Sequence, residues 1–144
     1  MIATVAVGTD GSGTATKAVE AAVDLAARYE AKIVFLSAYA QVDEHRLRKE
    51  KRDAPEDIQW SINPEEDVDA TLGAATELAD EKGLKWTTEA AQGDPAQVLV
   101  DLAAKHEADV LVIGNRGMNR RILGSVPNSV THKADCSVFV VKTT

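Results

Sequence analysis

Apolar positions in this chain fall into short uncharged runs separated by longer stretches in which apolar and charged residues alternate with helical spacing. Residues 2–8, IATVAVG, are rich in β-branched side chains and carry no charge, the pattern of a strand buried on both faces. After the turn-forming TDGSGT, Ala15, Val19, Ala22, Val23 and Ala26 recur at intervals of mainly three and four, opposite Lys17, Glu20, Asp24 and Arg28. That period predicts an amphipathic helix. Residues 32–39, KIVFLSAY, form a second run of strand length. Residues 41–63 break the rhythm: QVDEHRLRKEKRD is dense in both signs of charge, and Pro55 and Pro64 interrupt the chain beyond it. They read as a charged surface insertion, with one short helix at most and Trp60 as its large apolar group.

Beyond Pro64, Val68, Leu72, Ala75 and Ala79 mark a second helix, with Gly83 placed to cap its end. Residues 84–90, LKWTTEA, alternate as a third strand near a sheet edge. Asp94-Pro95 opens a third helix as an acidic cap followed by proline at the first helical position, with Val98, Leu99, Leu102 and Ala103 as its apolar face. Residues 108–114, ADVLVIG, are the most hydrophobic strand. A glycine-rich connection, GNRGMNRRILGS, leads to a short helix that Ser125 is expected to cap, with Val126 and Val130 inward. Residues 136–142, CSVFVVK, are the last strand. Strands alternating with helices predict an α/β fold, a doubly wound five-stranded parallel sheet of order 3-2-1-4-5 with helices on both faces. One domain accounts for residues 1–144.

Composition narrows the picture. Aromatic residues are only 4% of the chain, so the core must be built from Ala, Val, Leu and Ile, whose small volumes suit helices packed closely on a sheet. The formal net charge of −7 repels a phosphate backbone and argues against nucleic acid as a general partner. A small anion is compatible, because Arg116, Arg120 and Arg121 cluster beside the glycines. The single cysteine, Cys136, excludes an internal disulfide. With no basic leader and no apolar run of about 20 residues, the expectation is a cytoplasmic protein without a membrane segment.

Candidate chemistry gathers at two strand ends. In an open α/β sheet, ligands bind beyond the carboxyl ends of the strands, where the winding reverses; with order 3-2-1-4-5 that crevice lies between strands 1 and 4. Thr9-Asp10-Gly11-Ser12-Gly13 follows strand 1, and Gly114-Asn115-Arg116-Gly117 follows strand 4. Glycines let backbone N–H groups approach phosphate oxygens, and Gly124-Ser125 then opens a helix whose positive end favours an anion. On the residues alone, an isolated glycine-rich loop serves equally well as a plain turn.

These segments in this order, VAVGTDGS at the start and VLVIGNRG, GSV and SVFVV near the end, resemble the universal stress protein family. The resemblance covers residues 1–40 and 64–144 and leaves the insertion unmatched. It implies an adenine nucleotide α hydrolase-like fold, usually dimeric, and a branch that binds ATP through Gly-x2-Gly-x9-Gly-Ser/Thr. Carried onto this sequence, the resemblance implies that Gly114, Gly117, Gly124 and Ser125 hold the phosphates and ribose, with Asn115, Arg116 and Val126 in the same nucleotide-binding set. Thr9 and Asp10 would lie by the nucleotide, and Ala38 would meet the adenine through its backbone. The ligand implied is ATP, AMP or ADP, with Mg2+ as an accompanying cation. This chain departs from the pattern at one place: only Met118 to Leu123, six residues, separate Gly117 from Gly124.

Other features carry plainer readings. His45, His106 and His132 show no metal-ligand spacing, Cys136 reads as a core residue, and Trp60 and Trp86 read as packing or interface residues. No nucleophile, P-loop or paired-cysteine motif is present, so the chain is expected not to be an enzyme beyond slow ATP hydrolysis. The apolar final strand, at a sheet edge, predicts a homodimer paired through it. Two other functions remain open at this point: a nucleotide-free dimeric interaction module, and a nucleotide-dependent transferase or hydrolase.

Overall fold

In a computed structural model, the described residues are 1–9, 13–39, 68–115 and 124–142. Chain order is β1 (Thr4–Gly8), α1 (Gly13–Tyr29), β2 (Lys32–Tyr39), α2 (Val68–Glu81), β3 (Trp86–Gln92), α3 (Pro95–Lys105), β4 (Val110–Asn115), α4 (Ser125–Lys133) and β5 (Ser137–Lys142). The five strands form one sheet of order β3-β2-β1-β4-β5, every pair parallel. This is the predicted doubly wound arrangement. The expected insertion at 41–63, with Trp60 and His45, lies outside the described residues.

Strand composition follows position in the sheet. β1 is buried along its whole length and β2 and β4 nearly so, whereas β3 and β5 are half-exposed at the two edges. Successive side chains in the central strands therefore feed two cores. Val5, Val7, Ile33, Phe35, Val110 and Val112 point toward α1 and α2; Ala6, Val34, Leu36, Leu111 and Ile113 point toward α3 and α4. α1 meets the sheet with Ala15, Ala18, Val19, Ala22, Val23 and Ala26, all buried, as the scarcity of aromatics required. Gly8 serves the other face. A Cβ there would stand 3.0 Å from a Leu99 methyl, so its absence lets α3 close onto the end of β1.

Helix ends explain where the strand boundaries differ from expectation. α2 closes in a Schellman motif: Gly83, at φ 67°, donates to the Asp80 carbonyl, and the Leu84 N–H donates to the Ala79 carbonyl at 3.0 Å. Leu84 is thereby committed to the helix, and β3 starts at Trp86 rather than residue 84. The same geometry after α3 binds the Ala108 N–H to the Ala103 carbonyl and moves the start of β4 to Val110. At the opposite end of α3, Asp94 caps as predicted, its carboxylate accepting from the Gln97 N–H at 3.1 Å, with Pro95 first in the helix. α4 departs from the expected cap: its N-cap is Gly124, with no side-chain hydrogen bond, and Ser125 is the first helical residue. Among the described residues no helix is long and apolar enough to cross a membrane.

Candidate functional site

The winding reverses between β1 and β4, and the sequence-selected residues that the structure describes collect at the carboxyl ends of those strands and of β2. Register places them. Val7 lies opposite Val112 and Gly8 opposite Leu36, so Thr9, one residue past the end of β1, stands between β2 and the Gly114 position of β4. The Thr9 N–H still donates to the Leu36 carbonyl at 2.9 Å, and Thr9 is buried. Lys32 donates to Ala3 and Leu36 accepts from Thr9, so even-numbered backbone groups of β2 face β1. Two residues on, Ala38 presents its backbone to the same side, just where β1 has ended. A planar ring placed there would meet a carbonyl and an amide edge.

The other half of the cleft is closed by a side chain. Asn115, the last residue of β4, is fully buried, and its Oδ1 accepts from the Gly124 N–H at 2.7 Å across nine positions of sequence. Sequence reasoning assigned Asn115 to the ligand. In the structure its carboxamide oxygen clasps the end of β4 to the start of α4. Gly124 and Val126 are buried and Ser125 is exposed, so the helix start reaches the surface at the serine. Asp10, Arg116 and Gly117 lie outside the described residues, as do Arg120 and Arg121.

Two polar features escaped the sequence reading. Glu89, on β3, accepts from Lys105 at 2.7 Å and lies 2.6 Å from the His106 Nε2. Lys105, then His106, holds this carboxyl below its ordinary range. His106 thus has a structural partner. Asp109 accepts from the N–H groups of Ala3 and Thr4 at 2.8 and 3.0 Å, which ties the start of β1 to β4 and lowers the carboxyl pKa. Its only sequence signal was an acidic residue immediately before an apolar strand.

Other placements sharpen or correct expectation. Cys136 is half-buried, packed against the core that faces α3 and α4, and precedes β5; burial pushes its thiol pKa up. Trp86 is 41% exposed, its indole N–H bonded to Asp80 at 2.7 Å. At the far end of the sheet from the cleft, a groove of about 450 Å³ lies between the ends of α1 and α2, bordered by Glu30, Lys32, Lys82 and Lys85. Among the described residues no group of three His, Cys, Asp or Glu side chains is placed to hold a metal ion.

Comparison with known proteins gives a consistent result. The model of the universal stress protein family matches residues 1–142. A universal stress protein of Mycobacterium tuberculosis is 36% identical over 145 residues, covering 98% of this chain and 97% of the relative. One from Methanocaldococcus jannaschii is 31% identical, covering 93% and 78%. Among solved structures, a universal stress protein in complex with cAMP is 31% identical, covers 99% of this chain and 98% of its own, and superimposes with a TM-score of 0.75.

Proposed function

The chain belongs to the universal stress protein family, and from that premise we propose that it is an adenine-nucleotide-binding protein acting in stress response through binding rather than catalysis. The observation that carries this is the Asn115–Gly124 clasp. It sets the start of α4 beside the end of β4, at the crevice where doubly wound sheets take their ligands. A phosphate at Ser125 and Val126 would lie on the positive end of a helix. Thr9 and Gly114 would flank the ribose, and the backbone of Ala38 would read the adenine edge. Asp10, Arg116 and Gly117 complete the proposed set. The solved relative that carries cAMP supports an adenine nucleotide over other small anions.

A binder is favoured over a transferase or hydrolase because the carboxylate–imidazole pair among the described residues, Glu89 with His106, belongs to the far end of α3. We propose further that two chains pair through β5. Phe139 is 48% exposed on that edge strand, and a second copy would cover both the ring and the unpaired backbone. Light scattering is expected to give a dimer mass; a monomer mass independent of concentration contradicts the pairing.

The site is tested by calorimetric titration with AMP and ATP, using wild type and Gly124→Val. Gly124 has φ −63° and ψ 169°, a conformation any residue adopts, so a side chain there strains no backbone dihedral. Wild type is expected to bind and the variant to lose binding while melting as a folded protein. No heat at millimolar nucleotide, or equal affinity in the variant, refutes the site.

A further inference from the structure

The end of the sheet opposite the cleft carries a surface that the proposed function does not use. α1 and α2 end there in the same way. Each closes with a residue in the left-handed region, Glu30 at φ 55° and Gly83 at φ 67°. The next amide, of Ala31 or Leu84, then returns to the Ala26 or Ala79 carbonyl at 2.8 or 3.0 Å. A lysine follows each turn. The Ile33 N–H donates to the Lys85 carbonyl at 3.0 Å and Ile33 lies opposite Trp86, so Lys32 and Lys85 stand side by side where β2 and β3 begin. With Lys82 they border the groove of about 450 Å³, whose apolar lining includes Ala31 and Leu84.

Like charges at paired strand positions repel, and here no carboxylate offsets them. Arg28 pairs with Asp24 and Lys105 with Glu89, whereas Lys32, Lys82 and Lys85 are exposed and have no ion-pair partner among the described residues. In a chain of net charge −7 this is a local reversal of sign. Two exposed aromatic side chains adjoin it in sequence: Tyr29, 46% exposed, precedes Glu30, and Trp86, 41% exposed, follows Lys85. Aromatic rings are enriched where proteins meet, and a site for a bare anion needs none. We propose that the groove docks an extended acidic segment of a partner protein. Its carboxylates would meet Lys32, Lys82 and Lys85, and an apolar side chain would rest on Ala31 and Leu84. A nucleic acid fits less well, because its continuous charge would also face Glu30 on the groove's border and the acidic remainder of the chain. Docking here leaves the cleft at the other end of the sheet free, and does not depend on its ligand.

Lysines near helix carboxyl ends also offset the helix dipole, and the test separates that role from docking. Fluorescence anisotropy of a short labelled peptide of Glu, Leu and Gly is measured against the full chain at low and high salt. Its counterpart with Gln in place of Glu and a single-stranded DNA oligomer serve as competitors for the same assay. The acidic peptide is expected to bind and to lose affinity as salt screens the charges. The triple variant Lys32→Gln, Lys82→Gln, Lys85→Gln should weaken it about tenfold, the sum of exposed pairs worth a few-fold each. Lys82→Gln alone should weaken it a few-fold, and Glu30→Gln should strengthen it. A purely dipole-offsetting role would produce neither change. Amide shifts on adding the peptide should centre on Lys32, Lys82, Gly83 and Lys85. No binding of the acidic peptide, equal binding of the Gln peptide, or tighter binding of the DNA overturns the proposal. So does unchanged affinity in the lysine variants.

Discussion

Replacing Asn115 by alanine cuts the clasp between β4 and α4, and the structure sets the size of the effect. The residue is fully buried and its Oδ1 lies 2.7 Å from the Gly124 nitrogen. With the carboxamide gone, the Gly124 N–H stays buried without an acceptor, which costs about 1–3 kcal/mol. The vacated volume adds a smaller cavity penalty, so a total of about 2–4 kcal/mol is expected. In a chain of this length each kcal/mol moves the melting temperature by about 2–4 °C, which places Asn115→Ala roughly 5–15 °C below wild type. Asn115→Leu separates the two contributions. Leucine refills the volume and supplies no acceptor, so it should recover only the cavity part. Thermal melts followed by circular dichroism, with urea midpoints compared at unchanged slope, give the numbers. Amide exchange at Gly124 should be slow in wild type and fast in both variants. A melting temperature within about 1 °C of wild type for Asn115→Ala would refute the clasp.

Two further predictions concern other elements. Glu107 and Glu30 end α3 and α1 in the left-handed region, at φ 54° and 55°, so Glu107→Gly and Glu30→Gly should each stabilise by about 0.5–1 kcal/mol, strain relief less the added unfolded-state freedom. Alanine at either position should give no gain, and urea titrations that show equal effects for glycine and alanine would contradict this. The Glu89 carboxyl, held below its ordinary 4.5 by Lys105 first and His106 second, contributes stability above that value that is lost as pH falls through the lowered folded-state pKa. Glu89→Gln should therefore be less stable than wild type by about 0.5–1 kcal/mol at neutral pH, with the gap closing below about pH 4.5; a gap that persists in acid denies the pairing.

Much of the fold was legible because its determinants are local and repetitive. Uninterrupted β-branched runs at 2–8 and 32–39 have no amphipathic face and had to be central strands, and the alternating 84–90 had to lie at an edge. Gly83 and Asp94-Pro95 announced helix ends through their own backbone chemistry. What could not be read was chemistry that joins distant segments. Asp109 holds amides more than a hundred positions away, and Glu89 meets Lys105 and His106 only because α3 returns along β3.

The candidate site shows the same division. Glycines and a helix start marked the location, since any phosphate cradle needs close backbone approach. The role of Asn115 was hidden, because an asparagine after a strand reads equally as ligand contact or clasp until the position of Gly124 is known. Ser125 read as a cap because serine commonly is one; Gly124 takes that place without a side-chain hydrogen bond, and Ser125 is exposed as the first helical residue. Glu30 and Glu107 at left-handed helix ends carried no signal at all, since glutamate has no preference for that conformation.

The central claim, an adenine nucleotide at the carboxyl ends of β1, β2 and β4, is tested most directly by amide chemical shifts of the labelled protein titrated with AMP. The largest changes should fall on Thr9, Ala38, Gly114, Asn115, Ser125 and Val126. Changes confined to Glu30, Lys32, Lys82 and Lys85, around the groove at the opposite end of the sheet, would contradict it.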